Sequence, residues 1–147
     1  MKTTHKTISL RTKKCYDFNN LTEEVRKFVE DSKIKNGFVN IQSMHTTGVI
    51  FVNEEEPLLL SDIEKNMDRL ISQEAEYNHD NFKIRTVNLC SGECANGHAH
   101  CKAILMPTSV VLNIVDGKIQ LGKWQQIFFL ELDRSRDRQV QIQIIGE

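Results

Sequence analysis

The segment Cys90-Ser-Gly-Glu-Cys-Ala-Asn-Gly-His-Ala-His-Cys101 holds three cysteines, two histidines and a glutamate. On a strand, side chains at i, i+2 and i+4 share a face. His98, His100 and Lys102 would then point together, and Ala99, Cys101, Ala103 and Leu105 would point the other way. A helix would instead align Cys90, Cys94 and His98. Gly92, Asn96 and Gly97 weigh against it, since a glycine costs about 1 kcal/mol in a helix interior. The reading is a loop through Gly97 and a strand from His98, with Cys101 a buried thiol. Two neutral imidazoles at this spacing can ligate one divalent metal ion, zinc among them. With the Lys102 ammonium they can equally bind a phosphate or carboxylate. An arbitrary H-x-H pair is more often an exposed strand face. This one follows a glycine-flanked loop into an otherwise apolar strand, where polar groups usually have partners.

Two further places carry candidate chemistry. His45 sits in Ser43-Met-His-Thr-Thr47, flanked by the hydroxyls of Thr46 and Thr47 and by Gly48. A strand-end histidine there can ligate a metal, act as a general base or contact an anion; a histidine that merely caps the strand is the plainer reading. In Leu121-Gly-Lys-Trp-Gln125, Gln125 could contact a ligand with Trp124 as a pocket wall, or Trp124 could fill the core. His5 and His79 have no supporting context. The run Arg134-Ser-Arg-Asp-Arg138 reads as a solvated turn.

Elements must position these groups. Lys6 to Thr12 alternates as a half-buried strand. Asn20 and Glu23 form a capping-box pattern ahead of a helix to about Ile34, which Gly37 ends. Phe38–Met44 and Val49–Val52 read as strands. Pro57 opens a second helix with the stripe Leu60, Ile63, Met67, Leu70, Ile71. From Ile104 the pattern is strand-like, with a hairpin at Asp116-Gly117, then Ile127–Leu132 and Val140–Ile145. The expected fold is a single α+β domain over residues 1–147, two helices packed on mainly antiparallel sheets.

The chain has 147 residues, 27% of them charged, with a formal net charge of -1. That suits one core and argues against a nucleic-acid surface built on bulk positive charge. Apolar runs are far too short for a membrane span, and the first fourteen residues lack the apolar stretch of a secretory signal. The four cysteines show no C-x-x-C spacing. They are expected to be reduced in a cytoplasmic protein.

Met-His-Thr-Thr-Gly at 44–48, Asn-Gly-His-Ala-His at 96–100, Leu-Gly-Lys-Trp-Gln at 121–125 and Glu-Leu-Asp-Arg-Ser-Arg-Asp-Arg at 131–138 occur in this order. Together they resemble the YjbQ-like family of uncharacterised proteins. The resemblance implies a compact α+β fold and a homotrimer. It implies a metal site that includes His45 and His100, with His98 at a position where many members carry an acidic residue. A secondary thiamine-phosphate synthase activity is associated with the family. It would need a metal or cationic groups to hold the departing diphosphate. Residues 81–95 look longer than in shorter members, so Cys90 and Cys94 inherit no role. Two functions follow as expectations. One is an enzyme acting on a phosphorylated small molecule, with His45 and His100 catalytic, His45, His98 and His100 on the metal, and Thr46, Thr47, Lys102 and Gln125 on substrate. The other is a non-catalytic trimer that holds a metal or anion.

Overall fold

A computed structural model describes all of residues 1–147. The elements in order are β1 (Lys2–Arg11), β2 (Asp17–Asn20), α1 (Thr22–Ser32), β3 (Gly37–Ser43), β4 (Gly48–Glu54), α2 (Pro57–Leu70), a 3₁₀ turn at Asn78–Asp80, α3 (Gly97–Ala103), β5 (Ser109–Val115), β6 (Lys118–Ile119), β7 (Gln125–Glu131) and β8 (Asp137–Gly146). They form two antiparallel sheets, β1-β8-β3-β5-β6 and β2-β7-β4. The α+β expectation holds, with one helix more than the sequence suggested.

Strand alternation explains the layers. In β7, Ile127 and Phe129 enter one core while Phe128 and Leu130 enter another. The smaller sheet is therefore apolar on both faces and lies in the middle. On its first face it packs against the larger sheet, with α1 adding Val25 and Val29. On its second face it meets Met67 of α2 and Ala99 and Ala103 of α3. In β8, Val140, Ile142 and Ile144 are fully buried and Gln139 and Gln143 are exposed, as alternation predicts. The Asp116-Gly117 turn has φ of +51° and +76°, the two positive values a tight hairpin turn of the primed type needs.

Several local expectations are corrected. Asn20 Oδ1 accepts from Thr22 N at 2.9 Å, but Glu23 pairs with Arg26 and closes no capping box. α1 ends at Lys33, whose φ of +59° supplies the left-handed cap. Gly37 instead opens β3. Pro57 does begin α2, capped by Glu56, which accepts from Leu58 N and Leu59 N. Of the α2 stripe only Met67 is buried, and Leu70 is exposed.

The largest correction concerns residues 97–103. They form a helix, not a strand, and 104–106 continue as a turn. Asp80 decides this from a distance: its Oδ1 accepts from Asn96 N and Gly97 N, both at 2.9 Å. These are donors that a helix start leaves free. A side chain at Gly97 would lie 2.5 Å from Tyr77 Cβ, so the close approach needs a glycine. Ala99 and Ala103, one helical turn apart, then bury against the middle sheet. No helix is long and apolar enough to cross a membrane.

Candidate functional site

The helix redistributes the residues that a strand would have aligned. His98 and Lys102, four apart, share the inward face, and His100 lies on the other side. Lys102 is 0% exposed. Its Nζ donates to Asp68 Oδ1 at 2.6 Å and stands 4.8 Å from the Tyr16 ring centre. Tyr16 donates to the same Asp68 oxygen at 2.7 Å. Burial would raise the Asp68 pKa, but the hydrogen bonds from Lys102 and Tyr16 hold it below the usual value. Burial also pushes the neighbouring Cys15 thiol up to about 11. Lys102 is thus a buried cation held by Asp68 and the Tyr16 ring. Cys101, expected to be buried, is partly exposed.

His45 and His100 share one cleft. They line a polar cleft of about 430 Å³ with His79, Arg85, Arg136, Arg138, Thr46, Thr47, Asn88, Glu93, Asn96 and one apolar residue, Met44. His98 does not line it. Gln125 sits at the far end of the β4–β7 ladder, paired with Glu54, whereas Glu131 at the near end pairs with Gly48. At strand spacing that is about 20 Å away. Trp124 is 61% exposed, so it neither fills the core nor walls the cleft.

One half of the cleft comes from the β3–β4 and β7–β8 turns. In register on β7, Glu131 follows Ile127 and Phe129 onto the inward face and is fully buried. Arg138 precedes Val140 on the inward face of β8. It donates to Glu131 through Nε and Nη2, both at 2.6 Å, and through Nη2 to Thr47 Oγ1 at 2.8 Å. Thr12 Oγ1 donates at 2.9 Å to Glu131 Oε2, the oxygen that Arg138 Nε also reaches. Arg136 Nε donates to Asp133 Oδ2 at 2.7 Å. The carboxylates thus fix both arginines where they line the cleft. The arginine run is therefore an anchored cluster, not a solvated turn. Gln139 N donates to His45 Nε2 at 2.7 Å, so the neutral ring carries its proton on Nδ1. Burial and then Arg138 lower the His45 pKa, which favours the neutral ring.

The other half comes from residues 79–100. Arg85 uses four of its five N–H donors, on Glu93 and on the carbonyls of His79, Val87 and Asn88. It braces this segment. The rings of His79 and His100 are 4.6 Å apart centre to centre. Burial, then His79, lowers the His100 pKa. Asn96 Nδ2 donates to Asp133 Oδ2 at 3.2 Å and so links the halves. His79 Nε2 and Asn96 Oδ1 are buried without a partner, as is His98 Nδ1 outside the cleft.

Sequence reasoning missed His79, Arg136 and Arg138. Nothing local marks His79, because Asp80 and the 3₁₀ turn place it. A signal did exist for the arginine: period-two counting puts Arg138 on the face of Val140, Ile142 and Ile144, and Glu131 on that of Ile127 and Phe129.

A family model described as UPF0047 protein YjbQ-like matches residues 6–147. The UPF0047 protein of Methanothermobacter thermautotrophicus is 34% identical over 95% of this chain and 90% of its own. That of Archaeoglobus fulgidus is 35% identical over 90% and 94%. The crystal structure of a YbjQ-like protein of unknown function from Sulfolobus solfataricus superposes with a TM-score of 0.88 at 30% identity, covering 99% of both chains. A hypothetical protein from Aeropyrum pernix gives 0.85 at 28%, covering 100% of both. With the matched model spanning nearly the whole fold that builds this cleft, the chain belongs to the YjbQ-like UPF0047 family.

Proposed function

We propose that the cleft binds a phosphorylated small molecule or similar anion, with a divalent metal ion beside it, and acts on that ligand as an enzyme. The observation that carries the reading is the division of the cleft. Arg136, Arg138, Thr46 and the His45 Nδ1–H offer donors for oxyanions, and carboxylates fix both guanidinium groups in place. His79 and Asn96 offer buried lone pairs with no partner inside the protein, which a cation would satisfy.

The metal reading fits a changed donor set. No three His, Cys, Asp or Glu side chains converge at ligating distance. Two imidazoles that share an ion at about 2.0–2.1 Å from each nitrogen have ring centres roughly 4.5–5.2 Å apart. The His79–His100 separation of 4.6 Å agrees with that. Asn96 Oδ1 would be a third donor, with remaining positions open to ligand oxygens. His45 Nε2 is engaged by Gln139 N, and His98 lies outside the cleft, so both fit less well than His79. When bound, the ion would supply Lewis-acid polarisation of a phosphoryl oxygen. His45 would donate a hydrogen bond, and Met44 alone would contact apolar substituents. A transferase that releases diphosphate, as a thiamine-phosphate synthase does, would use the same donors.

A homotrimer needs an interface between copies, and Phe38, Val111 and Val115, apolar and exposed on the outer face of the larger sheet, offer one. Four unbonded cysteines accord with a cytoplasmic setting. Titration calorimetry with inorganic phosphate and with zinc tests the reading: single-site binding of each is expected. Phosphate binding unchanged in Arg136→Ala would count against it.

A further inference from the structure

We infer that the ligand is a phosphodiester rather than a terminal phosphate, its two arms lying in two depressions that meet at His45 and Arg138. The inference rests on the anion-binding reading above and narrows it. His45 and Arg138 line the cleft and also an adjoining depression of about 380 Å³, formed where β1 and β8 end. The register Ser9↔Gln139, Leu10↔Arg138 and Arg11↔Asp137 brings its other lining residues together. The two residues therefore form a wall that the two concavities share. This wall is fixed: Gln139 N holds His45 at 2.7 Å, and Glu131 holds Arg138 at 2.6 Å. A phosphate bound at it adjoins both concavities.

Charge points the same way. Every guanidinium of the cleft already faces a carboxylate: Arg85 with Glu93, Arg136 with Asp133, Arg138 with Glu131. The shared wall thus offers directed N–H groups with little net charge. That suits the single charge of a diester better than the second charge of a monoester. In the second depression Arg11 and Asp137 pair at 3.1 Å, while Ser9 and Gln139 are exposed and polar. The second arm is accordingly a small hydroxylated group without charge.

Calorimetry on the metal-free protein with inorganic phosphate, glycerol phosphate and glycerophosphoglycerol tests this. Glycerophosphoglycerol is expected to bind about tenfold tighter than glycerol phosphate, a gain on the scale of one or two added hydrogen bonds. Ser9→Trp, which fills the second depression from an exposed position, should abolish that preference and leave inorganic phosphate unaffected. Gln139→Ala, which keeps the backbone bond to His45, should reduce the preference. Equal affinity for diester and monoester, or a preference that survives Ser9→Trp, would overturn the inference and leave the anion site standing. Failure of inorganic phosphate to bind would overturn both.

Discussion

Arg138 grips Glu131 with two nitrogens, Nε and Nη2, each at 2.6 Å, and both residues lie at the ends of buried strand faces. The pair couples the strand ends to the cleft floor. Removing one partner of a buried ion pair leaves the other charge uncompensated and costs about 3–5 kcal/mol. Glu131→Gln should therefore lower unfolding stability by about that amount in urea denaturation. A loss near zero would mean that Arg138 finds another partner.

Arg136 is half-exposed and holds less of the fold. Arg136→Ala removes charge-assisted donors worth about 1.5–3 kcal/mol to an anion, so phosphate should bind roughly 10- to 100-fold more weakly. The melting temperature should hardly move.

The histidines separate by role. His79→Ala and His100→Ala should each abolish high-affinity zinc binding. His98→Ala should retain it, because His98 lies outside the cleft. Equilibrium dialysis with metal analysis reads this directly. Loss of zinc in His98→Ala with retention in His79→Ala would restore the set that a strand over 98–102 implies.

Acid should destabilise the fold early. Burial lowers the pKa of His45, His98 and His100 below the ordinary 6.5. As pH falls through that value the unfolded chain takes up protons first, so the unfolded state binds more protons and stability drops. The loss begins near 6.5 and continues until the lowered folded values are passed. The midpoint urea concentration, measured from about pH 7.5 to 5, should fall steadily. Triple replacement by Gln should flatten the profile. Asp68 adds a separate loss at lower pH, because its lowered pKa favours the fold only while it is ionised.

Lys102 gives the converse test of the expected ligand set. It is fully buried, and its partner Asp68 is 43% exposed at the side chain, so solvent screens part of the pair. Lys102→Met should cost about 2–3 kcal/mol after that discount. Phosphate affinity should stay the same, because Lys102 does not line the cleft.

Much of the architecture was legible because period-two alternation and turn chemistry are local. The β8 face of Val140, Ile142 and Ile144, the Asp116-Gly117 hairpin and Pro57 at a helix start all follow from neighbours in sequence. The helix at Gly97–Ala103 was not legible in the same way. Local propensity disfavours it, and Asp80 and Tyr77, seventeen and twenty residues before Gly97, make it possible. His45 and His100 were found from residue type and motif. His79 and the Glu131–Arg138 pair emerge only when separate elements converge. Lys102 is the reverse case: strand alternation would align its charge with the histidines, but the helix turns it into the core.

In the proposed site the strand-end arginines and the His79–His100 pair act together. Titrating inorganic phosphate into zinc-loaded and zinc-free protein tests it most directly. One shared site predicts that phosphate binds at one equivalent per chain, binds more tightly when zinc is present, and loses that zinc dependence in His79→Ala. Identical phosphate affinity with and without bound zinc would contradict it.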